Sequence, residues 1–227
     1  MESVTLPPLY LITDRRNTRQ RPLLEVLRAA LEAGVRFVQL REKDLNTRDL
    51  LQLGESCLEL TRAYGAKLLI NDRLDLVQAL HADGVHLRAE SMPVSVVRRI
   101  LGSQSLIGVS THSVEEIVSA EEEGADFVVF GPIYETPSKR SFGPPLGLDA
   151  LSAACRRSRL PVFAIGGLTP SRISAVKQAG AYGVATISGI LTAPDVGATV
   201  REFLRPFTTG SLQNAGFEYN ERSQTYS

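Results

Sequence analysis

The chain has 227 residues, with 25 Lys and Arg balanced by 25 Asp and Glu, so its formal net charge is zero. Hydrophobic residues at 43% and charged residues at 22% are ordinary globular proportions, and the length suits one large domain or two small ones. Without a basic field the chain is neither a general nucleic-acid binder nor a membrane-surface binder, and no apolar run reaches the roughly 18 residues of a membrane span.

Residues 1–8 lack the basic start and apolar stretch of a signal peptide and read as an N-terminal extension. A first strand is expected over residues 9–13, followed by a helix over 23–33, where Leu23, Val26, Leu27, Ala30 and Leu31 mark one face. Then a pattern begins to repeat: a helical stretch ends in Gly and a β-branched strand follows at once. It appears as Glu32-Ala33-Gly34 before Val35-Arg36-Phe37-Val38-Gln39-Leu40 and as Ala63-Tyr64-Gly65 before Ala66-Lys67-Leu68-Leu69-Ile70. It returns at Gly84 before Val85-His86-Leu87, at Gly124 before Ala125-Asp126-Phe127-Val128-Val129-Phe130, and at Gly180 before Ala181-Tyr182-Gly183-Val184-Ala185-Thr186. Glycine suits the residue past a helix C-terminus, which tends to enter the left-handed region. The helix over 46–64 carries Leu50, Leu53, Cys57 and Leu60 on one face, and Asn46 and Thr169-Pro170 are good starting signals. Two further strands read over 106–110 and 161–165.

That makes eight strand–helix units of roughly 28 residues each, close to the span of one strand, crossover helix and loops. Strands this apolar suit a sheet covered on both faces. The economical architecture is a single-domain (β/α)8 TIM barrel of the α/β class over residues 9–205, with a doubly wound open sheet as the alternative. From Pro206 onward periodicity is lost, and residues 206–227 read as a poorly ordered C-terminal tail. Cys57 and Cys155 have no second thiol or His at metal spacing, which predicts reduced thiols in a cytoplasmic protein.

In such a barrel the chemistry gathers at the C-terminal strand ends. Thr13-Asp14, Gln39-Leu40-Arg41-Glu42-Lys43, Asn71-Asp72, His86 to Ser91, Ser110-Thr111-His112-Ser113, Gly166-Gly167 and Ile187-Ser188-Gly189 all fall there. Gly166, Gly167, Ile187 and Ser188 can offer backbone N–H groups to a phosphate, or they are simply tight turns. Arg41 and Lys43, two apart and so able to face one way, suit a diphosphate together with Lys139, unless they make surface salt bridges with Glu42 or Asp44. Asp72 is a candidate carboxylate for Mg2+, or an N-cap of the next helix. The seventeen residues from Gly131 to Gly147, rich in hydroxyls and cations, read as a phosphate-touching lid, with a plain solvent loop as the alternative.

These residues in this order resemble the thiamine phosphate synthase/TenI superfamily. The most specific parts are Gln39-Leu40-Arg41-Glu42-Lys43, Leu69-Ile70-Asn71-Asp72-Arg73, Gly84-Val85-His86-Leu87, Gly108-Val109-Ser110-Thr111-His112-Ser113, Gly131 to Lys139, and Ala164-Ile165-Gly166-Gly167-Leu168. The resemblance runs from Leu9 to Phe203 and implies condensation of hydroxymethylpyrimidine diphosphate with (carboxy)thiazole phosphate, giving thiamine phosphate and pyrophosphate. Carried across by position, it implies that Gln39, Arg41, Lys43 and Asn71 bind the pyrimidine diphosphate, with Asp72 on Mg2+. Ser110 and Lys139 would hold the leaving diphosphate, and Thr136, Ser138, Gly167, Ile187 and Ser188 the thiazole phosphate. One position departs from the pattern: the synthases place a second metal-binding Asp five residues after the strand-four His, where this chain has Ser91, with Glu90 beside it as a substitute ligand, directly or through water. Ser91 and parts of the long loop resemble the TenI branch, whose activity is tautomerising carboxythiazole phosphate. In that branch His112 would shuttle the proton, although a hydrogen-bonded structural role is the competing reading. A non-catalytic phosphate-ligand sensor is the third reading. All three imply small phosphorylated ligands and no nucleic-acid or membrane partner, and a homo-oligomer is compatible with each.

Overall fold

Eight short strands pair in chain order, each parallel to the next: β1 (Leu9–Ile12), β2 (Phe37–Leu40), β3 (Lys67–Asn71), β4 (Gly84–Leu87), β5 (Leu106–Thr111), β6 (Phe127–Phe130), β7 (Val162–Ala164) and β8 (Gly183–Thr186). β8 returns to β1, with Tyr10 opposite Ala185, so the sheet closes and the open-sheet alternative is excluded. This computed structural model describes residues 5–88, 90–136 and 144–208. The helices between and after the strands are α1 (Leu23–Glu32), α2 (Thr47–Ala63), α3 (Leu74–Leu80), α4 (Val94–Leu101), α5 (Val114–Glu122), α6 (Gly147–Arg157), α7 (Ile173–Gln178), α8 (Ser188–Leu191) and α9 (Val196–Thr208). Together they make a single-domain (β/α)8 barrel.

The pleat sorts the side chains into two cores. Leu9 and Leu11 of β1, Val38 and Leu40 of β2, and Leu68 and Ile70 of β3 join the helix-facing cluster, packed against Leu27, Leu31, Cys57 and their neighbours. Their alternates Tyr10, Phe37 and Leu69 point inward, with Phe127, Phe163 and Ala185, and form the barrel's filling. Tyr10 stacks on Phe37 at 4.2 Å between ring centroids, and Phe127 meets Tyr10 edge-on at 5.6 Å. Gly108 makes room for this filling, because a Cβ there would lie 2.2 Å from the Phe127 ring.

Asn46 caps α2 as expected, its side chain accepting the Asp49 N–H at 3.0 Å. Thr169-Pro170 opens a 3₁₀ turn, where the Thr169 hydroxyl bonds Ser171 and caps nothing. Four of the five repeat glycines, Gly34, Gly65, Gly124 and Gly180, take positive φ. In the third copy His81 takes the left-handed position instead, and Gly84 belongs to β4, pressed against the Leu106 backbone. The final helix runs through Pro206 to Thr208, the first residues of the stretch where periodicity is lost. Lys177 donates to the Pro206 carbonyl at 2.7 Å and lies over the Phe207 ring, and buried Phe203 anchors the preceding turn.

The N-terminal rim is stitched for stability. Arg98 on α4 pairs with buried Asp126 at 2.6 Å and donates to the carbonyls of Gly102, Ser105 and Gly124. Asp126 in turn accepts the Ile107 N–H at 2.6 Å. Both cysteines are free thiols, and among the described residues no helix is long and apolar enough to cross a membrane.

Candidate active site

Period-two alternation carries the inward face of each strand upward to the C-terminal rim. Above Phe37 comes Gln39, above Leu69 comes Asn71, above Gly84 comes His86, and above Gly108 comes Ser110. A polar layer therefore sits directly on the aromatic filling. Gln39 Nε2 lies 3.4 Å from Asn71 Oδ1, Asn71 is in register with His86, and His86 Nε2 lies 2.9 Å from Ser110 Oγ. The other nitrogen of His86 faces the Tyr10 hydroxyl at 3.4 Å. Burial, reinforced by the charge of Arg41, pulls the His86 pKa down to about 3, so the ring is neutral. Burial also raises the Tyr10 phenol well above its usual value and keeps its proton in place. Both hydroxyls can donate or accept, so the neutral ring links Tyr10 to Ser110 in either tautomer.

Two residues beyond Gln39, Arg41 follows the same inward direction and is half-buried. Its backbone N–H donates to Thr13 Oγ1 at 2.9 Å, extending the β1–β2 ladder. Burial lowers its pKa, Asp14 and Glu42 oppose that shift, and Arg88 adds to it. Glu42 points the other way and is buried, close enough to Cys57 to raise that thiol's pKa. Its two carboxylate oxygens accept the Arg15 N–H at 3.2 and 3.0 Å, which ties the β1 loop to the end of β2. Desolvation raises the Glu42 pKa, with the Arg15 N–H and the Thr13 hydroxyl pulling it back. Asp44 is taken by Arg15 and Arg16, and Lys43 is exposed at the rim.

Asp72 is not an N-cap: the cap of α3 is Arg73, and Asp72 stands in the left-handed region at φ 56°. Its N–H bonds the His86 carbonyl at 3.0 Å, and its Oδ2 lies 2.6 Å from Arg88 Nη2. Ser91, the expected second ligand position, closes a turn instead, its hydroxyl accepting the Arg88 N–H at 2.8 Å. Glu90 is exposed beside it.

His112 is exposed at the exit of β5, and its Nδ1 is bonded to the Gly131 carbonyl. A carbonyl can only accept, so the proton sits on Nδ1 and the neutral ring presents Nε2 as its acceptor nitrogen.

On the other side of the rim, the first part of the long loop lies along the end of β7. Ile133 and Tyr134 donate to the carbonyls of Ile165 and Gly166 at 2.8 and 3.1 Å. Gly167 turns at φ 61°, and a Cβ there would lie 2.5 Å from the Glu135 carbonyl oxygen. Arg172 donates to the Gly167 carbonyl and lies 4.4 Å over the Tyr134 ring. Thr136 is half-buried at the edge of this corner, and Ile187 and Ser188 open α8 next to it in the barrel order. Ser138 and Lys139, with the rest of the expected lid through Gly143, lie outside the described residues.

A family model described as thiamine monophosphate synthase matches residues 9–190, four-fifths of the chain and every strand of the barrel. The chain belongs to this family. Within it, the thiamine-phosphate synthase of Roseiflexus castenholzii is 45% identical over 193 residues, covering 85% of each chain. That of Moorella thermoacetica is 42% identical over 193 residues, covering 85% of this chain and 92% of its own. The solved structure of thiamine phosphate pyrophosphorylase from Pyrococcus furiosus superposes with a TM-score of 0.81 at 35% identity, covering 88% of this chain and 95% of that one.

Set beside the family's expected positions, Gln39, Arg41, Asn71, Asp72 and Ser110 share one side of the rim, and Thr136, Gly167, Ile187 and Ser188 the other. The sequence alone assigns no role to His86, Tyr10 or Arg88, and gives Glu42 only that of a surface salt-bridge partner. The signal for His86 was available: a His alternating with apolar residues, two positions after Gly84, lies on an inward face.

Proposed function

We propose that the chain condenses hydroxymethylpyrimidine diphosphate with (carboxy)thiazole phosphate, giving thiamine phosphate and pyrophosphate, and carbon dioxide as well where the thiazole carries the carboxylate. The bond between the pyrimidine methylene and the diphosphate oxygen breaks, and the thiazole nitrogen supplies the electron pair for the new C–N bond. Such a step needs a dry, oriented pocket and charge neutralisation on the leaving group more than it needs a strong base. The observation that carries the reading is the pair of carboxamides, Gln39 and Asn71, lying 3.4 Å apart, with Arg41 two residues beyond Gln39 and His86 standing between Asn71 and Ser110. Carboxamides offer both a donor and an acceptor, which suits the edge of an aminopyrimidine.

In this reading Gln39 and Asn71 orient the pyrimidine, while Arg41 and Lys43 take the diphosphate. Ser110 gives its O–H to the leaving oxygens, joined by Lys139. Thr136, Ser138 and the backbone at Gly167, Ile187 and Ser188 hold the thiazole phosphate. The donor set for Mg2+ among the described residues does not fit a resident ion. Asp72 is paired with Arg88, the Ser91 hydroxyl is engaged in a turn, Glu90 is exposed, and Mg2+ is held by protein through carboxylates. Two free thiols and small charged substrates suit an enzyme of the cytoplasm, with neither nucleic acid nor membrane as partner.

One observation favours a second reading, the TenI-type isomerisation of carboxythiazole phosphate: His112 has its proton fixed on Nδ1, which leaves Nε2 as a base. Incubation with pyrimidine diphosphate, thiazole phosphate and Mg2+, followed by mass spectrometry, is expected to give thiamine phosphate. No coupling together with fast isomerisation of carboxythiazole phosphate would transfer the assignment to the tautomerase. Thermal stabilisation by either ligand without turnover would point to a sensor.

A further inference from the structure

Arg88 leaves β4 on the same inward face as Gly84 and His86, two residues beyond the last of them. Its position is fixed from two sides. Its N–H donates to Ser91 Oγ at 2.8 Å, and its carbonyl accepts the Ser91 N–H at 3.0 Å, which closes the turn after the strand. Its guanidinium lies 2.6 Å from Asp72 Oδ2, and Asp72 is itself tied to β4 through the His86 carbonyl. Arg88 and Arg41 are near enough for the charge of one to depress the pKa of the other. The Arg88 side chain is two-fifths exposed, and a pair so exposed adds little to stability. Asp72 offsets the charge of Arg88, and Asp14 and Glu42 oppose its effect on Arg41, so the two guanidiniums stand at one rim before a ligand binds.

We propose that Arg88 is a built-in cation of the diphosphate pocket, occupying Asp72 and doing for the leaving pyrophosphate much of what a divalent metal would do. This rests on the synthase reading given above. The planar fork of a guanidinium can bond two phosphoryl oxygens at once, and Arg keeps its charge at every working pH. With Arg41 it would clamp the diphosphate from the β2 and β4 sides, beside the Ser110 hydroxyl on β5. Ser91 thereby gains a purpose of its own: a carboxylate at that position would compete for the Arg88 guanidinium, whereas the hydroxyl caps its backbone and leaves the side chain to Asp72 and the ligand. Asp72 holds the guanidinium in place before the ligand arrives.

The test is calorimetric titration of inorganic pyrophosphate into the full chain, in chelator and again in Mg2+, for the wild type, Arg88→Gln and Arg88→Lys. The wild type is expected to bind pyrophosphate in chelator. Arg88→Gln is expected to lose about tenfold or more of that affinity, as for a lost charge-assisted hydrogen bond, and to regain part of it when Mg2+ is added. Arg88→Lys should fall between the two, and unchanged melting temperatures show that the variants are folded. Wild-type binding that requires Mg2+, or binding in chelator that Arg88→Gln leaves unchanged, would overturn the proposal. If the protein makes thiamine phosphate while either of those results holds, only the role of Arg88 fails. If it makes none under any metal condition, the synthase reading itself fails.

Discussion

His86 Nε2 stands 2.9 Å from Ser110 Oγ, so a ring buried in the barrel holds a hydroxyl at its mouth. Because folding holds this imidazole neutral down to about pH 3, while an unfolded one takes a proton near its usual 6.5, the two states differ in bound protons between those values. Below pH 6.5 the unfolded chain gains a proton that the folded chain refuses, so stability falls with falling pH until about 3. Glu42, whose pKa is raised, works in the opposite direction, so the wild-type curve is a composite. Replacing His86 with Gln should remove the first component, flattening the acid slope of the melting temperature by at least about 2–4 °C, the equivalent of one kcal/mol in a domain of this size. Melting curves from pH 7.5 to 4 check this. An equally steep slope in the variant would assign it to other groups.

Gly167 and Tyr134 pack together at the end of β7, where the thiazole phosphate is proposed to sit. Alanine at position 167 would hold a left-handed conformation at a cost of about 1–2 kcal/mol and push its Cβ into the Glu135 carbonyl. The loop beside β7 must then shift. The KM for the thiazole phosphate is expected to rise about tenfold or more, while that for the pyrimidine diphosphate changes less. Steady-state kinetics with each substrate varied in turn measures the split.

The architecture was legible because glycine-terminated helices and β-branched runs recur at regular intervals, and in a parallel barrel the strand ends carrying Gln39, Asn71 and Ser110 must share one rim. What stayed hidden depends on distances across the barrel. Nothing in the local sequence says that Glu42, flanked by Arg41 and Lys43, holds the Arg15 backbone. Likewise Arg88 and Asp72 are sixteen residues apart, and only the closure of β3 against β4 brings them together.

Arg98 and Asp126 belong to the opposite rim, far from the chemistry in the order of the fold. Arg98→Ala leaves Asp126 as a buried carboxylate without its guanidinium and removes donors from three carbonyls. A loss of about 3–5 kcal/mol in unfolding free energy is expected, as for other broken buried pairs. The KM values of the folded fraction should be unchanged. Urea denaturation combined with kinetics at low temperature separates the two effects, and altered KM values would link this rim to the site.

The central claim is that one rim carries two separate anion pockets, one from β2 to β5 and the other from β6 to β8. Titrating thiazole phosphate by calorimetry, first alone and then with pyrophosphate saturating, tests it most directly. The account predicts that thiazole phosphate binds in both titrations with affinities of the same order, so that both anions occupy the barrel together. Mutual exclusion of the two ligands would mean a single shared anion site, and the coupling reaction would have no place to occur.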